Sequence, residues 1–230
     1  EAPIRYRTHS ALLGDDPAAL RHAVRTCARV QALLSERDAE GRIPCHPYKK
    51  WYGAHWVLTA LADLGYPPGD QGLAPLREQV LDWLLSREHF DRILTIEGRT
   101  RRCASQEGNA LFSLLALGLA DERADELARR LVGWQWPDGG WNCDKRPQAH
   151  NSSFMETAIP LRALALYARA TGSPQVKAAA ERAAEVFLKR RLYRRQGDVQ
   201  PIHPEFTALH LPIYWHYDIL WGLKVMAEAG

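Results

Sequence analysis

Four residues with soft, metal-binding side chains recur in the loops that follow successive predicted helices. They are Cys45, Cys103, Cys143 and His203. Thiolate sulfur and imidazole nitrogen are preferred ligands of Zn²⁺, and a structural zinc site is tetrahedral. If these loops meet at one edge of the fold, the sequence predicts a Cys₃His zinc site. The alternative is that the thiols pack beneath helix starts, since free cysteine behaves as a small hydrophobe.

Carboxylates and imidazoles lie near the predicted N-terminal ends of buried helices. When such groups are desolvated beside one another, their pKa values are displaced and they suit acid–base catalysis. The candidate catalytic residues are His55, Glu107, Glu156, His216 and Asp218. Helix capping is the structural alternative for Glu107, and packing in a satisfied core is the alternative for the two histidines. Glu156, one turn inside its predicted helix, would need a buried partner.

Aromatic side chains surround the two candidate histidines, and arginines precede Cys103. An aromatic wall suits an apolar chain or, through cation–π contact, a carbocation. Arginines suit a diphosphate or another anion, and residues 189–195 form a second basic stretch. We expect a substrate to contact Trp51, Trp56, Tyr214, Trp215 and Arg102. Ordinary core packing and solvated helix ends are the alternatives.

A repeating set of helices must position these residues. Gly65, Gly118, Gly172 and Gly230 each follow an apolar helical pattern and lie 53, 54 and 58 residues apart, and glycine is preferred just past a helix end. Inner, buried helices are predicted over 51–64, 105–117, 154–170 and 212–229, and outer, amphipathic helices over 17–36, 73–87, 121–136 and 174–191. The pattern predicts an all-α fold, one domain over 1–230, with helical hairpins at about 17–65, 73–118, 121–172 and 174–230.

Residues 131–141, which read Leu-Val-Gly-Trp-Gln-Trp-Pro-Asp-Gly-Gly-Trp, end one of the outer helices. Leu131 and Gln135 share a helix face, and Pro137 ends the helix. The two glycines permit a tight reversal, after which Trp141 covers the helix end that Gln135 hydrogen-bonds. We call residues 131–141 the clasp. The clasp resembles the QW repeat of the terpenoid cyclases and of the related β subunits of protein prenyltransferases.

This resemblance implies an α/α toroid, a double ring of helices around an apolar cavity, and an enzyme that acts on an apolar, isoprenoid-like substrate. Prenyltransferases of this family hold a catalytic zinc through Asp, Cys and His to activate a thiol. Their counterparts here would be Cys143 with Asp144 and either His203 or His216. A full toroid has about five or six hairpins, so we expect a ring of four to be open, small, or completed by something outside this chain. An incomplete ring would favour pairing into a homo-oligomer.

The chain contains neither an Asp-x-Asp-Asp nor an Asp-Asp-x-x-Asp motif, so both known types of cyclase chemistry lack their acidic motif. Two other functions stay open. The fold could be a non-catalytic module that binds a ligand or peptide, with a structural zinc or packed cysteines. It could also be an α/α-barrel carbohydrate enzyme, with Glu107 paired to Glu156 or Asp218 at about 5–10 Å across a wet cleft.

Composition limits the partners. The 230 residues are 46% apolar and 25% charged, as in a folded domain with a sizeable core. The net charge of +3 is too small to favour nucleic-acid binding, and no apolar run reaches the roughly 20 residues of a membrane span. We expect no nucleotide cofactor. Four cysteines fit reduced thiols or metal ligands better than a disulfide scaffold, so we expect a cytoplasmic protein.

Overall fold

The computed structural model describes residues 1–14, 18–210, 213 and 216–230. These residues are mostly helical, as the predicted all-α class requires. The α-helices are α1 (Ala2–Thr8), α2 (Ala18–Thr26), α3 (Ala28–Leu34), α4 (Ala54–Leu64), α5 (Ala74–Leu85), α6 (Arg87–Asp91), α7 (Ser105–Ala116), α8 (Arg123–Trp134), α9 (Phe154–Thr171), α10 (Pro174–Leu188) and α11 (Ile219–Ala229). Shorter helical turns cover His9–Leu13, Gln71–Leu73 and Pro204–Thr207.

A short antiparallel hairpin, β1 (Leu94–Ile96) and β2 (Arg99–Arg101), lies between α6 and α7. This hairpin was not predicted from the sequence, because three-residue strands carry almost no periodic pattern. Its turn holds Glu97 and Gly98 at positive φ angles of 51° and 66°. The hairpin leads the chain directly to Cys103.

The predicted helix-ending glycines are confirmed. Gly65, Gly118 and Gly172 have φ angles of 78°, 63° and 73°, a left-handed conformation that glycine adopts without strain. After α4, Gly65 N donates to Ala62 O, and the next residue donates to Leu61 O. These bonds satisfy carbonyls that the end of a helix would otherwise leave open.

Two of the predicted helices have different bounds in the structure. The outer helix expected over 17–36 is broken at Cys27, whose extended backbone (φ −70°, ψ 152°) caps α3. The helix expected from residue 51 begins at Ala54, because Gly53 is extended and lies so close to Pro47 O that a Cβ there would be 2.2 Å away. Trp51 therefore precedes α4.

The last helix also begins later than predicted. Asp218 is the N-cap of α11, and its Oδ1 accepts a hydrogen bond from Trp221 N at 2.8 Å. His216 and Asp218 therefore precede the helix. At the other end of the chain, α1 packs against α2.

The chain divides into two compact units. The first comprises Glu1–Phe90 and Phe112–Ala124. In it α4 packs against α1, α3 and α5, and the largest fully buried side chains include Leu58, Leu61 and Leu76. Removing such side chains from water is the main force that stabilises this unit.

The second unit comprises Asp91–Leu111 and Asp125–Gly230. Its centre is α9, which packs against α10 and α11. The rings of Phe154, Phe187 and Tyr217 form a buried aromatic group with centroids 4.7 to 5.7 Å apart. This unit contains the candidate site. Within the ranges that the structure describes, no helix has the length and apolar character needed to cross a membrane.

Candidate metal centre

The clasp packs onto the start of α9. Trp141 is 1% exposed, and its Nε1 donates to Leu131 O at 2.9 Å, so the predicted covering of the helix end is confirmed. The backbone N of Trp141 donates to Thr157 Oγ1 at 3.2 Å, and its O accepts from Ser153 N at 2.9 Å. These bonds fix the residues after Trp141 beside the first turn of α9.

Two details of the clasp were not foreseen. Gln135 joins the clasp turn to α10 instead of bonding the end of its own helix, since its Nε2 donates to Gly139 O and Ala179 O, both at 2.8 Å. Gly140 approaches α9 so closely that a Cβ there would lie 2.4 Å from Thr157 Oγ1. A larger residue at position 140 would displace the turn.

Packing of the clasp brings Cys143 against two other donors, Cys103 and Glu156. One donor atom from each of the three lies within 4.8 Å of the others. Cys143 Sγ donates to Glu156 Oε1 at 3.8 Å. Cys103 comes from the segment between β2 and α7, and Glu156 from the first turn of α9. Three segments that are distant in sequence therefore meet at one point.

Glu156 connects two helix starts. Its backbone N donates to the N-cap Ser153 Oγ at 3.5 Å, while its Oε2 accepts from Ser105 N, the first residue of α7, at 3.0 Å. Two helix N-termini thus adjoin this group, and each favours a negative charge. Desolvation by burial has the largest effect on the carboxyl and raises the pKa of Glu156.

The two thiols of the group are not equivalent. The hydrogen bond between them is the main cause: Cys103 donates to Cys143, which lowers the pKa of Cys143 and raises the pKa of Cys103. Burial and the charge of Glu156 raise the pKa of Cys103 further. Cys143 is therefore the thiol that ionises first, and the thiolate is the form that binds metals and attacks electrophiles.

A buried ion pair adjoins the group in sequence. The Arg102 guanidinium donates to the Glu107 carboxylate at 2.9 to 3.1 Å and to Gln106 Oε1 at 2.6 Å. The side chain of Glu107 is 0% exposed and that of Arg102 is 13% exposed. Glu107 was predicted as a catalytic residue and Arg102 as a substrate ligand. The structure pairs the two, as a buried carboxylate requires.

The donors Cys103, Cys143 and Glu156 fit Zn²⁺. Thiolate and carboxylate are both zinc ligands, and tetrahedral coordination at about 2.0–2.3 Å separates ligand atoms by about 3.3–3.8 Å. The distance of 3.8 Å between Cys143 Sγ and Glu156 Oε1 matches this geometry. A zinc ion held by these three residues would have a fourth position for water or substrate, as catalytic zinc sites do.

Of the four predicted zinc ligands, the structure brings together Cys103 and Cys143. Cys45 belongs to the first unit. His203 is exposed and caps the turn Pro204–Thr207, where its Nδ1 accepts from Glu205 N at 3.3 Å. Among the described residues, the groups of three close donors include neither Cys45 nor His203.

Glu156 is the third donor of the group, although we had predicted it as a residue of acid–base catalysis. Its predicted position, one turn inside a helix, agrees with α9, in which Ser153 and Glu156 have the spacing of an N-cap and its partner. The missing information was that this carboxylate bonds to a second helix, α7.

Other predicted site residues lie together in the first unit. His55 is 1% exposed, and its ring centroid lies 5.3 Å from those of Tyr48 and Trp56 and 5.9 Å from that of Trp83. Trp51 lies 4.5 Å from Trp56. The expected grouping of aromatic residues around His55 is thus present, and its ring is buried within that group.

The predicted residues near α11 have structural contacts of their own. Asp218 is 1% exposed, caps α11 and also accepts from His210 N at 2.7 Å. The rings of His210 and His216 stack 4.7 Å apart. Tyr214 and Trp215, two of the predicted substrate contacts, lie outside the described residues.

The two basic stretches differ from each other. Arg101 is 3% exposed, lies 4.5 Å from the Trp136 ring and donates to Ala149 O at 2.8 Å, so it packs the hairpin against the clasp and the loop that follows it. The second stretch, residues 189–195, borders a surface depression of about 380 Å³. Of these two stretches, the second is the one that presents exposed guanidinium groups, those of Arg191 and Arg195, to an anion.

Comparison of the chain with protein-family models, with curated proteins and with solved structures yields no match.

Proposed function

We propose that this protein is a zinc-dependent enzyme whose active centre consists of Cys103, Cys143 and Glu156. The observation that carries this proposal is the convergence of two thiols and one carboxylate, within 4.8 Å of one another, beside two helix N-termini. When bound, Zn²⁺ supplies a Lewis acid that makes a thiol or a water molecule nucleophilic near neutral pH.

The residues of the chain have distinct parts in this centre. Cys143, whose pKa is lowered, gives up its proton more readily than Cys103 when a metal binds. Cys103 and Glu156, whose pKa values are raised, release their protons as they become ligands. The N-termini of α7 and α9 offset part of the negative charge that results. The open fourth position is where a nucleophile would be oriented.

We further propose an apolar, isoprenoid-like substrate and an α/α toroid of the terpenoid cyclase and prenyltransferase type. The support is the resemblance of the clasp to a QW repeat, together with the buried bond from Trp141 Nε1 to Leu131 O. The carbohydrate alternative loses one of its carboxylates, because Glu107 is fully buried against Arg102 and does not face a wet cleft.

A second candidate function is thiol–disulfide exchange, favoured by the hydrogen bond between Cys103 and Cys143 and by their opposite pKa displacements. The Cys143 thiolate would attack a disulfide in a partner molecule and form a mixed disulfide, releasing one partner thiolate. Cys103 would then lose its proton and attack Cys143 sulfur, forming the internal disulfide and releasing the second partner thiolate. The partner disulfide is reduced to two thiols.

Metal analysis of the purified full chain separates these functions. In native mass spectrometry we expect Cys143→Ser and Cys103→Ser each to bind one zinc fewer per chain than the parent. Cys45→Ser is the matched control, because it removes a half-buried cysteine of the first unit, and it should keep its zinc. Circular dichroism checks that each variant is folded.

The outcomes are decisive. If the parent chain binds no zinc after incubation with the ion, or if Cys143→Ser binds as many zinc ions per chain as the parent, the zinc proposal is wrong. If the metal-free chain instead forms a Cys103–Cys143 disulfide reversibly with oxidised glutathione, the exchange function is favoured. If Cys143→Ser loses both its fold and its zinc, the zinc has a structural role. Glu156→Gln, which keeps both thiols, then decides whether the ion also takes part in catalysis.

A further inference from the structure

A second group of donor atoms lies just before α11 and is unrelated to the cysteines. Glu205, His210 and His216 each place one ligand atom within 4.8 Å of the others. The two imidazole rings stack almost in parallel, with centroids 4.7 Å apart and an interplanar angle of 7°. Two imidazoles and a carboxylate form a donor set that transition-metal dications prefer.

The orientation of His210 is set by a buried carboxylate. Asp218 is 1% exposed, and its Oδ1 is engaged by Trp221 N at 2.8 Å. Its Oδ2 accepts from His210 N at 2.7 Å and lies 3.4 Å from His210 Nδ1. Because Nδ1 faces Asp218, Nε2 of His210 is left as the ligand atom. Metal-bound histidines commonly have a carboxylate on the other ring nitrogen, which fixes the ring and increases its basicity.

Glu205 is also held in place, although its side chain is exposed. It lies in the turn Pro204–Thr207, and the next residue, Phe206, is 6% exposed. The ring of Phe206 packs against Tyr217 and Phe154, at centroid distances of 4.8 and 5.6 Å. The turn that carries the carboxylate is therefore anchored in the core of the second unit.

We propose that Glu205, His210 and His216 bind a divalent transition-metal ion, with Asp218 as the residue that orients His210. Nitrogen ligands favour ions of the Zn²⁺ and Co²⁺ type over Mg²⁺ and Ca²⁺, which take oxygen ligands. The site is independent of the cysteine centre, since the two donor sets share no residue.

Co²⁺ titration of the full chain, followed by visible absorption, tests this site and separates it from the cysteine centre. Cobalt bound by thiolates gives an intense charge-transfer band, whereas nitrogen and oxygen ligands give only the weaker d–d bands. In Cys103→Ser/Cys143→Ser we expect d–d bands without the charge-transfer band. His216→Ala should weaken this binding at least about 10-fold, and Asp218→Asn about 10- to 100-fold.

His150→Ala is the matched control, because His150 is exposed and its Nδ1 lies 2.6 Å from Gln148 O, away from the proposed ligands. It should bind Co²⁺ like its parent. If the cysteine double variant does not fold, the same comparison is made in the parent chain, where His216→Ala should lose one of two cobalt equivalents. The proposal is wrong if His216→Ala and His150→Ala bind Co²⁺ alike, or if the affinity is no tighter than millimolar.

Discussion

Replacing Trp141 by Phe tests whether the indole of the clasp stabilises the second unit. Leu131 O lies near the end of α8, where the helix ladder no longer supplies a donor, because Gln135 N donates to Val132 O at 3.4 Å. The indole Nε1 supplies the donor instead, at 2.9 Å. A buried carbonyl left without a donor costs about 1–3 kcal/mol. The smaller ring adds a void worth about 1 kcal/mol.

We therefore expect Trp141→Phe to lower the free energy of unfolding by about 2–4 kcal/mol. Urea unfolding followed by circular dichroism measures this, since the signal does not depend on the removed indole. Trp134→Phe is the control, because Trp134 ends α8 and is half-buried, and it should change stability by less than about 1 kcal/mol. Equal effects of the two substitutions would refute the assigned role of the indole.

Three further predictions concern charge and space in the second unit. In the metal-free chain, burial raises the folded-state pKa of Glu156, so stability contributed by this group is lost as pH rises from about 4.3, the unfolded value, through the folded one. Above the folded-state pKa of Glu156, urea unfolding should show Glu156→Gln to be more stable than the parent. A variant that is less stable than the parent at neutral pH would contradict a raised pKa for Glu156. Arg102→Met leaves the buried Glu107 charge without the Arg102 guanidinium and should lower the free energy of unfolding by about 3–5 kcal/mol. Adding Glu107→Leu should restore most of this loss. No recovery in a double-mutant cycle would exclude the ion pair as the cause. Gly140→Ala places a Cβ 2.4 Å from Thr157 Oγ1 of α9 and should destabilise the protein by about 1–3 kcal/mol in thermal melts. In the same assay Gly133→Ala, whose Cβ would have no neighbour within 4 Å, should stabilise α8 by about 0.5–1 kcal/mol. Effects of the same sign would be inconsistent with this packing.

Periodic features of the chain were predictable from sequence. The helix-ending glycines are found in the left-handed conformation, and the buried helix predicted over 105–117 is α7, Ser105–Ala116. Both rest on local rules, a steric preference of glycine and a repeat of apolar residues. Helix starts were less predictable. Asp218 could have been a helical residue or an N-cap, and only its bond to Trp221 N decides between them.

The candidate site was predicted in part for a different reason. Cys103 and Cys143 were recognised by residue type, but their partner was not. Glu156 joins them because its carboxylate reaches the first backbone N–H of another helix, Ser105 N. No spacing in the sequence encodes a contact between residues so far apart. Similarly, His210 and Glu205 were not singled out, because the orienting contact from Asp218 Oδ2 to the His210 imidazole depends on tertiary packing.

The hydrogen bond from Ser153 N to Trp141 O closes residues 142–152 into a loop. The side chains from Lys145 to Gln148, in the middle of this loop, point into solvent. Doubling the length of a loop that is already closed costs only about 0.6 kcal/mol. A peptide epitope or a fluorescent reporter inserted after Pro147 should therefore be accepted, and it would follow Cys143 in the chain by only a few residues. The fold thus offers a place for a genetically encoded probe of metal binding at the proposed cysteine centre.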